Sequence, residues 1–194
     1  MKQFYLPYDE KSEINYCYVL MFYIAASYNK QSKKYDTISY STIDNLTEKL
    51  NAALEKDDKK ISSSTVKRIL SNPAYNTFLE IDKENKIIGI KNNIKSCNKF
   101  VVLSELEALL VIRSRDNLLA NYLLFLKYYC GYSKSNKINT TAKQFLDACG
   151  YSSNSNAYIS KVSEYNRLFV ENGFIKIEKY RDDNGNERNF YSCK

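Results

Sequence analysis

The chain has 194 residues, 44% hydrophobic and 26% charged, a length that exceeds one small domain and suits two. Its 29 lysines and arginines against 22 acidic residues leave a net charge of +7, a moderate excess compatible with a polyanionic partner. With no histidine the chain cannot run Ser-His or Cys-His catalysis, and five cysteines without Cys-x-x-Cys spacing argue against zinc.

The first ten residues lack the apolar core of a signal peptide, and the longest apolar run, near Val19–Ala26, is too short to span a bilayer. A reduced, cytoplasmic protein with no membrane partner is expected. Cys17, Cys130 and Cys149 fall in apolar helical patterns, where a free thiol packs as a small hydrophobe. The five glycines, at 89, 131, 150, 173 and 185, are too scattered for a phosphate or dinucleotide loop. No cofactor, no metal, no catalytic residue and no enzymatic activity are expected.

Phe4, Tyr5, Leu6 and Tyr8 form an apolar arm expected to pack across a first domain. Tyr16, Val19, Leu20, Tyr23 and Ile24 recur at helical spacing and predict a core helix over 14–28. Thr37–Tyr40 is a strand candidate, and Ser41 or Thr42 then caps a helix carrying Ile43, Leu46, Leu50 and Leu54. Residues 61–70 predict a short serine-capped helix that must stop before Pro73. Residues 78–81 and 86–90 read as two strands around the polar turn 82–85.

Lys91–Asn98 is polar and makes a plausible boundary. Phe100–Leu103 is a further strand candidate, and Ser104 caps a helix with Leu106, Leu109, Leu110 and Val111, read as an interdomain or dimerisation element. Asn117–Tyr129 is a densely apolar helix. The phrase Cys-Gly-Tyr-Ser, at 130–133 and 149–152, is read both times as a glycine-capped helix end.

Residues 137–139 are extended, and a threonine then caps a helix with Ala142, Phe145, Leu146 and Cys149 on one face. After Gly150 and a polar turn, Ile159, Val162, Tyr165 and Phe169 mark the inner side of a second helix, ended at Asn172-Gly173. Residues 174–181 and 187–191 alternate around Asp182-Asp183-Asn184-Gly185, a strong hairpin signal. Phe145, Ile159, Val162 and Phe169 are expected to be buried.

Helix, polar turn, second helix and hairpin, with "GYSSNSNAYISKV" and "NGFIKIEKY", resemble the winged helix-turn-helix domains of bacterial and phage regulators and replication initiators. The resemblance covers Leu118–Tyr191. The first half has the same order of elements without residue-by-residue similarity, so two copies of one architecture are expected. The expected fold is mainly α with small β-hairpins (α+β), two winged helix-turn-helix domains in tandem. Residues 1–95 form the first domain, 96–116 a linker and connecting helix, and 117–194 the second.

Such tandem proteins resemble the initiators of plasmids and phages, which bind repeated origin sequences and often switch between monomer and dimer. The resemblance implies double-stranded DNA as partner, a possible homodimer, and a role in replication initiation or transcription regulation, where a replication or transcription protein could be a further partner. In the second copy Ser153, Asn154, Ser155, Asn156, Ser160, Lys161, Ser163, Glu164 and Arg167 face outward around the second helix, where hydroxyl and amide groups can meet phosphates or base edges. Lys176, Lys179, Arg181 and Arg188 load the hairpin with cations. The equivalent set in the first copy is Ser63, Ser64, Thr65, Lys67 and Arg68, with Lys83 and Lys86 on the hairpin. The alternative from a different class is a winged-helix protein-interaction module, for instance an inhibitor of a nucleic-acid enzyme.

Overall fold

The computed structural model describes residues 3–8, 16, 19–20, 37–52, 54, 56, 58–71, 79–90 and 100–193. Among them the chain is mixed α+β, with six helices and three small antiparallel sheets. It divides into two compact units, Met1–Pro7 with Ile14–Asp116, and Tyr8–Glu13 with Asn117–Lys194. The helix expected over 14–28 lies outside the described residues except for Tyr16, Val19 and Leu20, which are helical, the last two buried. Cys17, Pro73 and the polar boundary at 91–98 also lie outside them.

In the first unit, strand β1 (Gln3–Pro7) pairs antiparallel with β5 (Phe100–Ser104), from Gln3↔Ser104 to Pro7↔Phe100. Ser104 then caps α3 (Glu105–Ser114) in a reciprocal box. The Glu107 amide donates to Ser104 Oγ at 3.3 Å, and the Ser104 amide donates to Glu107 Oε2 at 2.7 Å. This carboxylate is buried yet bonded. Phe4 and Leu6 of the arm are buried in this unit's strand, whereas Tyr8 falls in the second unit, its ring 4.9 Å from that of Tyr128. Of the segment expected as a linker and connecting helix, 96–116, the described residues 100–116 are grouped with the first unit.

The other part of the first unit is β2 (Thr37–Ser39), α1 (Ile43–Ala52), α2 (Ser63–Ser71), β3 (Leu79–Asp82) and β4 (Ile87–Ile90). Its sheet has the order β2-β4-β3. Thr42 accepts from the Asn45 amide at 3.1 Å and begins α1, which ends before Leu54; that side chain is nonetheless buried beside the helix end. Asn51 ties the connection to α2, donating to the Ile61 carbonyl at 2.9 Å and accepting from its amide at 2.7 Å. Leu46, Leu50, Val66, Ile69 and Ile88 fill the core.

The second unit runs α4 (Asn117–Tyr132), β6 (Lys137–Asn139), α5 (Ala142–Ala148), α6 (Asn156–Glu171), β7 (Ile175–Arg181) and β8 (Glu187–Cys193). Its sheet has the order β6-β8-β7, so in both units the early strand lies beside the last. Every residue from Leu118 to Leu126 is buried, as a helix apolar on all sides must be. Phe145, Tyr165 and Phe169 are buried with their rings around that of Tyr122, and Val162 is buried as well. Ile159 corrects the expectation of full burial. It is half-buried, because it sits in the first turn of α6 at the rim of the core.

The two Cys-Gly-Tyr-Ser phrases part company. At 149–152, Gly150 adopts φ +75°, Tyr151 N donates to Leu146 O at 2.8 Å and Gly150 N to Asp147 O at 3.2 Å, a closed left-handed cap. Gly173 closes α6 in the same way, with Phe174 N donating to Phe169 O at 2.9 Å. Gly131, expected as a cap, lies inside α4, which continues to Tyr132 and ends with Ser133 N donating to Tyr129 O at 3.0 Å. A Cβ would meet nothing within 4 Å at either glycine, so backbone conformation alone sets the sign of a substitution. Gly131→Ala is expected to stabilise by about 0.5–1 kcal/mol. Gly150→Ala is expected to destabilise by about 1–2 kcal/mol, and Gly150→Val also. Thermal melting of each variant checks the pair, and shifts of the same sign would contradict the assignment.

Candidate nucleic-acid interface

Helix α6 is positioned from both ends. At its start Ser155 N donates to Ser152 O at 3.2 Å, and Ser155 Oγ accepts from the Tyr158 amide at 3.4 Å. Beneath it, the Tyr122 hydroxyl donates to Asn166 Oδ1 at 2.7 Å, and Asn166 Nδ2 donates to the Tyr191 hydroxyl at 3.3 Å. That chain joins α4, α6 and β8, and no spacing rule in the sequence would have found it. Burial holds the Tyr122 hydroxyl well above the usual tyrosine range, with the nearby Tyr191 adding to the shift, so it stays a donor.

With its inner face so anchored, α6 exposes Asn156, Ser160, Lys161, Glu164 and Arg167, and the preceding turn exposes Asn154. Ser153 is half-buried. The Ser163 hydroxyl is committed to its own helix, donating to Ile159 O at 3.2 Å. Acidic Glu164 and Glu171 are exposed on the same helix.

The hairpin is less cationic than its composition implies. Glu178 receives Lys137 at 2.6 Å from β6 and Lys176 at 3.0 Å from its own strand. Lys179 meets Glu187 at 2.5 Å, and Arg188 meets Asp182 at 2.9 Å. Lys176 and Glu178 are two apart on one strand face, and Lys179 lies diagonally across from Glu187, spacings that could have signalled both pairs. Hydrogen bonds from Lys137 and then Lys176 hold Glu178 below its usual carboxylate range. The Arg188 guanidinium, then the Asn186 amide, does the same for Asp182. Asp182 also shapes the turn, its Oδ1 accepting from Asn184 N at 3.1 Å and Asn186 N at 2.8 Å. Pairs this exposed add little stability, but they cancel charge locally. Arg181 is exposed and pairs with no carboxylate among the described residues.

In the first unit Ser62 caps α2, accepting from the Thr65 amide at 3.3 Å, with its hydroxyl 2.8 Å from Ser64 Oγ and 3.0 Å from Thr65 Oγ1. Ser63 donates to Asp44 at 2.5 Å. Ser64 is exposed and Thr65 half-buried, both within this cap cluster, while Lys67 and Arg68 are exposed beyond it. Lys86, at φ +54°, donates to Ser41 O at 2.7 Å. Lys67, Lys83 and Lys86 meet around one cleft of about 520 Å3, between α1, α2 and the β3–β4 hairpin. A cleft of about 380 Å3 in the second unit brings Asn139, Thr141, Gln144, Tyr180, Asp182 and Arg188 together.

Among the described residues no three His, Cys, Asp or Glu side chains gather into a metal-binding group, and no helix is long and apolar enough to cross a membrane. No protein-family model, curated protein or solved structure matches the chain.

Proposed function

We propose that the chain is a tandem winged-helix protein of a mobile element that binds double-stranded DNA by sequence, acting in the cytoplasm as a replication initiator or transcription regulator, and that it is not an enzyme. One observation carries this reading. Each unit has a strand, two helices and a hairpin in that order, with the early strand beside the last, and each second helix turns a hydroxyl-capped start and a polar outer face outward. A helix so presented suits a major groove, and the hairpin beside it suits the phosphate backbone.

The paired hairpin cations favour a second reading for the second unit, a surface for a protein partner such as a nucleic-acid enzyme to be inhibited. Titrations with duplex selected from a random pool, at low and high salt, separate the two. DNA binding weakens steeply as salt rises, by a slope of about 0.9 per neutralised phosphate. A chain that binds no duplex at low salt is a protein-interaction module.

On a selected site, Asn156→Ala is expected to relax base preference by about 1–3 kcal/mol at one position, the value of one bidentate pair with a base. Lys161→Ala is expected to weaken all sequences alike and to lower the salt slope by about one unit. Binding to the site and to its single-base variants checks both, and identical profiles for the two variants would remove α6 from the groove.

A further inference from the structure

We propose that the cleft of the first unit binds a small amphipathic anion, an apolar body carrying one phosphate or carboxylate. At about 520 Å3 the cleft falls in the ~300–1,000 Å3 range of small-molecule sites. Its lining separates by burial. Leu70 is buried and Tyr40, Ile43 and Ile81 are half-buried, so they form the floor. Lys67, Lys83 and Lys86 are exposed and form the rim.

The three ammonium groups come from α2 and from the two sides of the β3–β4 turn, so folding gathers them. Lys86 is held in place by its bond to Ser41 O. Asp82, the carboxylate beside Tyr40, has its oxygens engaged by the turn, accepting from Glu84 N at 3.0 Å, Asn85 N at 2.8 Å and Asn85 Nδ2 at 2.7 Å. Those bonds leave Asp82 charged, but the cleft itself is lined by three lysines and no carboxylate, so the rim keeps a surplus of positive charge. An apolar floor alone would admit a neutral molecule, and lysines alone would admit any phosphate. Together they select a ligand that has both parts.

The second unit's cleft lacks this combination. Its lining is mostly amide and hydroxyl groups, and Arg188 is tied to Asp182 at 2.9 Å. The inference stands apart from the DNA reading, although Lys67, Lys83 and Lys86 belong to both sets, so an occupied cleft would withdraw three cations from duplex.

Calorimetric titration of the full chain with 1-naphthyl phosphate, inorganic phosphate and 1-naphthalenemethanol tests it without DNA. Saturable one-to-one binding of 1-naphthyl phosphate is expected, at least about tenfold tighter than either control, because each control supplies half of the recognition. The double variant Lys67→Gln/Lys83→Gln is expected to weaken it by about tenfold or more, since two charge-assisted hydrogen bonds are removed. Both lysines are exposed, so the circular dichroism and melting of that variant should match the parent. Inorganic phosphate binding as tightly as the naphthyl ester would overturn the proposal in favour of a plain phosphate site. Absence of saturable binding, or undiminished binding by the double variant, would also overturn it.

Discussion

Phe169→Ala is expected to cost the second unit about 3–5 kcal/mol, the usual cost of emptying a phenylalanine-sized volume in a packed core. The Phe169 side chain is 0% exposed. Its ring lies 5.9 Å from that of Tyr122 in a stacked arrangement and 6.5 Å from that of Tyr165. Tyr122 cannot relax into the space, because its hydroxyl is bonded to Asn166 and its ring packs 4.6 Å from Phe145 on another helix. A control on the same helix is Val170→Ala, whose side chain is 45% exposed and whose loss is expected to cost less than about 0.5 kcal/mol. Denaturant unfolding of both variants measures the difference, and equal midpoints would mean that α6 does not rest on this cluster.

On the proposed DNA-binding reading, removing the hairpin carboxylates should strengthen binding to duplex. In Glu178→Gln/Glu187→Gln/Asp182→Asn, the side chains of Lys137, Lys176, Lys179 and Arg188 lose their anionic partners. Asparagine at 182 retains an oxygen for the turn amides now held by Asp182 Oδ1, so the hairpin should keep its shape. If the hairpin lies on the backbone, the salt slope steepens by about 0.9 for each further phosphate that these cations neutralise, or by up to about 3.6 units if all four do so. Binding at low salt tightens accordingly. An unchanged slope would place the hairpin away from DNA and favour the protein-partner reading of that unit.

Much of this architecture was legible because its signals are local. The cap at Ser104, the left-handed stop at Gly150, the inner positions Val162, Tyr165 and Phe169, and the hairpin around Asn184-Gly185 each depend on residues within a few positions of one another. Gly131 shows the limit of such reading. It lies in the same four-residue phrase as Gly150, yet it sits within α4, which runs on to Tyr132, and it has no left-handed backbone. Ile159 shows a second limit, since periodicity gives a direction around the helix and not a depth along it.

The outer face of α6 was likewise readable as a set of positions, whereas its electrostatics was not. Counting Lys176, Lys179, Arg181 and Arg188 makes the hairpin strongly basic; the fold brings Glu178, Glu187 and Asp182 against three of these and adds Lys137 from β6. The opposite happens in the first unit, where Lys67, Lys83 and Lys86 gather around one cleft.

By itself the sequence determined the kinds of element, their order and most of their ends, because capping, turn conformation and amphipathic period act over a few residues. Tertiary structure alone decided which early strand lies beside which hairpin strand, how deep each apolar residue sits, and which charges cancel. Those outcomes depend on distances between residues far apart in the chain, such as Lys137 and Glu178, or Lys86 and Ser41, and a distance of that kind exists only once the core between them has closed.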